Sequence, residues 1–417
     1  MGEMEMKQLG ERVGRIKTAI AMGQPDRVPV CPFFSGIVTR FTGSSYRDAF
    51  YNHDRAGQAA IDFIKMYPNV DSSSVPLFYS GVANELAGTK MIDWPGRPGT
   101  IVPDFSSQQI IEYEFMEPEE YPELLTDYTG FMLRKFIPRS FTNLQGTKDL
   151  TIQAATMMDA SMFGGLTSPG VIETFKTLEK IGEENAKATA ATFKYAGIMA
   201  ELGYPGMIQG MAEAPYDIIG DYFRGTMGIF EDITDEDTLP YVEQACWMFA
   251  DKMIQNLQYL KYVDMPIKNV FFPLHKGMDG FLSDELYGKI YWEPLKKIIM
   301  ALIDMGVTPY IYTEGPYNTR LDYLSDLPKG KCLVHFEKVD MKKAKEIVGK
   351  NSCISGNLSI SQMEFGTPEK IINDTRYLLE TCMPGGGYIF DFDGSLDNAK
   401  PENVDAMFET LAKYGSY

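Results

Sequence analysis

With 417 residues, 44% of them apolar and 23% charged, the chain has ordinary globular composition and enough apolar material for one large core. A net charge of −18 sets the average field against a polyanion, so no nucleic acid is expected as a partner. No run of eighteen apolar residues occurs, so no membrane span is expected.

The opening MGEMEMKQLGERVGR is charged and lacks the apolar stretch of a secretory signal, and Met6 stands where a myristoylation motif needs Ser or Thr. The cytoplasm is therefore the expected compartment. The five cysteines, Cys31, Cys246, Cys332, Cys353 and Cys382, are widely spaced and form no CxxC pair. They read as reduced, buried thiols, neither a disulfide framework nor a thiolate zinc site.

Residues 1–24 predict an amphipathic helix, with Val13, Ile16, Ile20 and Met22 near helical spacing. GQPDRVPVCPFF, residues 23–34, turns at Pro25 into a short apolar strand ending near Cys31, and residues 69–79 predict a second strand. From 85 to 145 the chain is turn-rich, with WPGRPGT, a hairpin-like alternation in QQIIEYEFM and an acidic helix opening in EPEEYPELL. No Gly/Ser-rich or Pro-rich linker flanks this stretch, so it is expected as an insertion, and 1–417 as one domain. The spacing predicts the longest helix over 170–202, a third strand running into a helix within 207–225, and a long helix over 234–260 opened by TDEDTLP.

From residue 269 the pattern becomes periodic, with five strands alternating with helices to the end of the chain. No GxGxxG or P-loop glycine pattern follows any of these strands, which argues against a nucleotide fold. The expected fold class is α/β: a (β/α)8 TIM barrel with an N-terminal helical extension and an insertion in the first third.

The stretch 305–340 organises the rest. Its two apolar runs, 308–313 and 332–336, read as strands buried on both faces, yet they deliver Glu314, His335 and Glu337 to their ends. A carboxylate or imidazole there costs several kcal/mol unless it is paired, hydrogen-bonded or on a metal. Parallel strands would converge His275, Lys276, Asp279, Tyr312, Glu314, His335, Glu337, Asn357, Asp391 and Asp393 on one edge. Carboxylates and imidazoles in that number suit Zn²⁺ or another divalent ion. Plainer readings stand beside this one: Glu337 pairing with Lys338 or capping the helix before Met341, Asp393 as a turn residue in DFDG, and His275 bonded to a carbonyl.

Several stretches resemble the uroporphyrinogen decarboxylase superfamily: RIKTAIAMGQPDRVPVCPFF (15–34), EAPYDIIGDYFRGTMGIFEDI (213–233), HFEKVDMKKAKEIVGKNSCISGNLS (335–359), FGTPEKI (365–371) and GGYIFDFDGSLDNAKPENVDAMF (386–408). The resemblance implies a barrel with its site in the C-terminal mouth. The decarboxylase proper binds a tetrapyrrole through N-terminal arginines and an aspartate; here Arg27 directly follows Asp26 and no arginine-rich loop is present. Corrinoid-dependent methyltransferases of the superfamily carry zinc on an HxC motif plus a later Cys. At the matching places this chain reads Tyr312-Thr313-Glu314 and residues 391–394.

An oxygen and nitrogen donor set is similar to methyltransferases that demethylate methyl ethers, such as methoxylated aromatics, and pass the methyl to a cobalamin protein. The resemblance thus implies Zn²⁺ on Glu314, His335, Asp391 and Asp393, with His275, Tyr312 and Asp279 as catalytic groups. Lys276, Cys31, Tyr79 and Asn357 are the expected substrate contacts. The expected partners are a small-molecule methyl donor and a corrinoid protein, and a homodimer is allowed. A decarboxylase and a non-catalytic binding barrel are the alternatives.

Overall fold

The computed structural model describes residues 2–73, 78–151 and 159–417; residues 74–77 of the second expected strand lie outside them. A two-residue antiparallel pair comes first, β1 (Ile92–Asp93) against β2 (Gln109–Ile110). Six parallel strands then lie side by side in chain order. They are β3 (Gly210–Met211), β4 (Asn269–Leu274), β5 (Thr308–Thr313), β6 (Leu333–Phe336), β7 (Cys353–Ser355) and β8 (Tyr388–Ile389). Two extended segments complete the ring. Val30 bridges Phe390 in parallel, the Asp71 amide donates to the Val30 carbonyl, and Ser73 bridges Gly206 in parallel. The result is a closed eight-membered barrel, with helices after the strands as a right-handed crossover requires.

Strand periodicity divides the core in two. Val270, Phe272, Leu274, Ile311, Val334, Phe336, Ile354 and Tyr388 belong to the large cluster between barrel and helices. Their alternate neighbours Phe271, Tyr310, Tyr312, Leu333, Cys353 and Ile389 form a second cluster, with Cys31, inside the barrel. The helix Glu3–Ile20 adds Ile16, Ala19 and Ile20 to that inner cluster and so plugs the barrel. Each large aliphatic or Phe side chain among them contributes about 1.5–3 kcal/mol by leaving water. Arg15 fastens this helix to Asp26 and Asp71, and Arg27 also pairs with Asp71.

Two expectations change. The helix read over 234–260 starts later, at Leu239, and runs to Asn256, while a separate helix, Gly225–Thr234, ends just before it. Asp235 turns the chain by accepting the Asp237 amide, and Pro240, which has no N–H to lose, starts the second helix. QQIIEYEFM does not fold on itself: Gln109–Ile110 pairs back to Ile92–Asp93. The residues after it lie along the chain near 223, where the Phe115 and Met116 amides both donate to the Phe223 carbonyl. Among the described residues no helix is long and apolar enough to cross a membrane.

Candidate active site at the barrel mouth

The segment following β3 reads EAPYDIIGDYFR, with Glu213, Asp217 and Asp221 four residues apart. Pro215 opens a short helix, Pro215–Ile218, which runs into a wider π-helical stretch, Ile219–Arg224. Four-residue spacing brings Asp217 and Asp221 to one side of that helix, and Glu213, just before its start, joins them. They meet the end of β4, where His275 and Lys276 follow Leu274. Buried Asp217 accepts the backbone N–H groups of His275 and Lys276, each at 2.9 Å, and the Tyr291 hydroxyl at 2.7 Å. Both side chains are thereby delivered to Asp221.

His275 Nδ1 donates to Asp221 Oδ2 at 2.6 Å, and the Lys276 ammonium pairs with Asp221 Oδ1. Lys276 reaches it by passing over Gly220, where an added Cβ would sit 2.6 Å from its Cδ and Cε. Glu213 Oε1 lies 3.8 Å from His275 Nδ1, buried and without a hydrogen-bond partner. From the other side, Glu314 Oε2 stands 3.7 Å from His275 Nε2. The insertion closes the arrangement: Glu112 lies 3.5 Å from the Lys276 ammonium and accepts from Thr226.

Burial opposes the charge on His275, but the hydrogen bond to Asp221 and the surrounding carboxylates raise its pKa to about 9. Burial likewise opposes the charge on Asp221, yet His275 and Lys276 hold it down to about 2. Burial pushes Asp217 up to about 6 and Glu213 well above the usual carboxylate range, where Asp221 adds to the rise. Glu314 is raised by burial, with Glu337 contributing. At neutral pH His275 is thus a cation gripped by Asp221, with its second nitrogen towards Glu314.

Glu213, Asp221 and His275 offer one ligand atom each within 4.8 Å of one another, the one such group among the described residues. A buried carboxylate oxygen with no donor costs about 1–3 kcal/mol, so the orphaned Glu213 Oε1 is the feature that fits a cation. Two oxygens and one nitrogen match the three-ligand donor set of catalytic zinc.

The residues expected from sequence are distributed differently. All of 275, 314, 335, 337, 357, 391 and 393 fall on the inward parity set by the strand register. No three of Glu314, His335, Asp391 and Asp393 bring ligand atoms within 4.8 Å of one another. Glu314 faces His275. His335 is fully buried, stacked on Tyr312 at 4.0 Å, with Nδ1 3.0 Å from Ser355 Oγ and 3.4 Å from Asp391 Oδ2. Asp391 accepts the Phe33 and Phe392 amides, and Asp393 accepts the Ile360 amide.

Glu337 accepts the Gly315 amide; the helix cap before Met341 is Asp340, whose carboxylate has the free helix amides within reach. Asp279 ties two mouth loops together through Thr319. Asn357 donates to the Glu337 and Val339 carbonyls. Cys31 lies in the inner cluster, its thiol pushed well up by burial. Tyr79 stacks on Phe50, and its carbonyl meets His53. Lys276 is buried against Asp221, not presented to a ligand. Glu213, Asp217 and Asp221 were not singled out from sequence; their regular spacing of four was the available signal.

Residues 172–414 match the family described as Uroporphyrinogen decarboxylase (URO-D). No curated protein matches the chain. Among solved structures, a methyltransferase from Methanosarcina mazei is similar, with a TM-score of 0.56 and 16% identity over 97% of this chain and 98% of that one. At that identity the likeness concerns the fold.

Proposed function

The chain belongs to the uroporphyrinogen decarboxylase family, and from that membership we propose that it is a methyltransferase, moving a methyl group from a methoxylated aromatic small molecule to the Co(I) of a corrinoid protein. The observation that carries the reading is the charged His275, held at Nδ1 by Asp221 with Nε2 towards the mouth. In the reaction the methyl–oxygen bond breaks, its electron pair stays on the oxygen, and the acceptor's electron pair forms the new bond to carbon. The leaving phenolate is a poor one, so catalysis needs charge stabilisation at that oxygen.

His275 supplies it by donating a proton from Nε2, a contribution typically about 10²–10⁴-fold for a placed acid. Glu213, Asp221 and His275 are also the residues that would hold Zn²⁺; with the metal bound, His275 would be a neutral ligand and Lewis-acid stabilisation would take the place of its proton. Asp217 fixes the backbone of His275 and Lys276, and Lys276 offsets the carboxylate charge around Asp221. Phe33, Phe271 and Tyr312, with ring centroids 5.3–6.0 Å apart, provide an aromatic wall suited to a substrate ring.

A porphyrin-like decarboxylase would want arginines facing substrate carboxylates. Arg15 and Arg27 are instead committed to Asp26 and Asp71. The test is spectroscopic: the protein with cob(I)alamin and a panel of methoxyarenes forms methylcobalamin, and metal analysis finds zinc in the active protein. Failure of every methoxyarene to give methylcobalamin overturns the reading.

A further inference from the structure

The inward parity of β5, β6 and β8 delivers three partly exposed carboxylates, Glu314, Glu337 and Asp393, to the same mouth as the aromatic wall of Phe33, Phe271 and Tyr312. Two of the cations nearby are claimed: His275 and Lys276 both sit on Asp221. Lys338, the other cation acting on Glu337 and Asp393, is exposed at the rim. On the same inward face the fully buried His335 has an Nε2 with no hydrogen-bond partner among the described residues. A buried ring nitrogen of that kind suits an uncharged donor or acceptor such as a hydroxyl.

Resting on the methyl-transfer reading, we propose that the mouth takes an uncharged methoxyphenol and turns away its carboxylate-bearing analogue, with Glu337 and Asp393 imposing the selection. A phenolic hydroxyl can donate to either carboxylate in a charge-assisted hydrogen bond. A benzoate placed there faces three like charges against one cation, Lys338, which stands out at the exposed rim, and that balance is disfavoured. The carboxylates themselves are pinned, Glu337 by the Gly315 amide and Asp393 by the Ile360 amide, so they cannot swing away from an incoming anion.

The experiment is calorimetric binding of 2-methoxyphenol and of 4-hydroxy-3-methoxybenzoate, which differ by the carboxylate alone, to the full chain at neutral pH, with zinc and with chelator. The expected dissociation constant is at least about ten-fold lower for the phenol, and Glu337→Gln and Asp393→Asn each narrow the ratio about three-fold or more. Should a variant not fold, the wild-type ratio still decides, because added salt must shrink a discrimination of this origin. Equal or tighter binding of the benzoate, no binding of the phenol, or a ratio indifferent to salt overturns the proposal. Methyl transfer from neither compound, with the binding ratio as expected, overturns the reading of the reaction and leaves the selection standing.

Discussion

The two sides of the barrel mouth use carboxylates differently. On the β3–β4 side, Asp221 is shared between two cations and Glu213 keeps an oxygen with no partner. On the β5–β8 side, Glu337, Asp391 and Asp393 each accept backbone N–H groups, from Gly315, from Phe33 and Phe392, and from Ile360. The second set satisfies loop backbone that leaves the strands without sheet partners, which is structural work. The first set satisfies other side chains and leaves valence over. Acidic residues at the mouth are therefore not equivalent, and hydrogen-bond satisfaction separates the reactive sector from one whose carboxylates are pinned in place.

Removing the central cation should have the largest effect. His275→Gln is expected to lower methyl transfer to cob(I)alamin by about 10²–10⁴-fold; a loss of less than ten-fold would move the acid elsewhere and collapse the contrast. Glu213→Gln should weaken zinc binding by about ten-fold or more in competition with a chelator. Its melting temperature should hold or rise, since burial and the neighbouring Asp221 already oppose a charge on Glu213. If instead it destabilises while zinc binding is unchanged, the reactive sector is scaffolding too.

Asp391→Asn tests the opposite side. It disturbs an acceptor of two backbone amides, so a stability loss of about 2 kcal/mol is expected by denaturant titration. Zinc content should change less than in Glu213→Gln.

The smallest effect calibrates what an ion-paired carboxylate contributes away from any chemistry. Glu120, in the insertion, is held down to about 2 by its hydrogen bond to Arg139, against burial and with help from Lys135. A depressed carboxylate stabilises the fold above its unfolded pKa, and that stability disappears as pH falls through the folded value. Wild type should therefore exceed Glu120→Gln by about 1–2 kcal/mol at neutral pH, and the gap should close between about pH 4.5 and pH 2. A gap independent of pH would mean that packing, not charge, holds the insertion.

Much of the barrel was legible. The strand and helix alternation from residue 269 marked β4 to β8. Segments with weaker alternation were harder: the stretch after Gln108 carries a strand pattern, but its partner is a distant segment that no local rule identifies. In the site, His275 and Glu314 were found as strand-end polar groups. Asp221 was not, because it sits in a helix, where a carboxylate usually means a solvated face, and only contact with β4 gives it a role.

From sequence alone follow the alternation of strand and helix and the side of each strand that turns inward, because both are local properties of backbone geometry with periods of two and 3.6 residues. Which carboxylate meets which imidazole is decided by closure of the barrel. Parity sets in or out but not position around the ring, and so Glu314 reaches His275 while His335 pairs with Asp391. The contact between Asp221 and His275, 54 residues apart, exists only once the wide helical turn is packed against the end of β4.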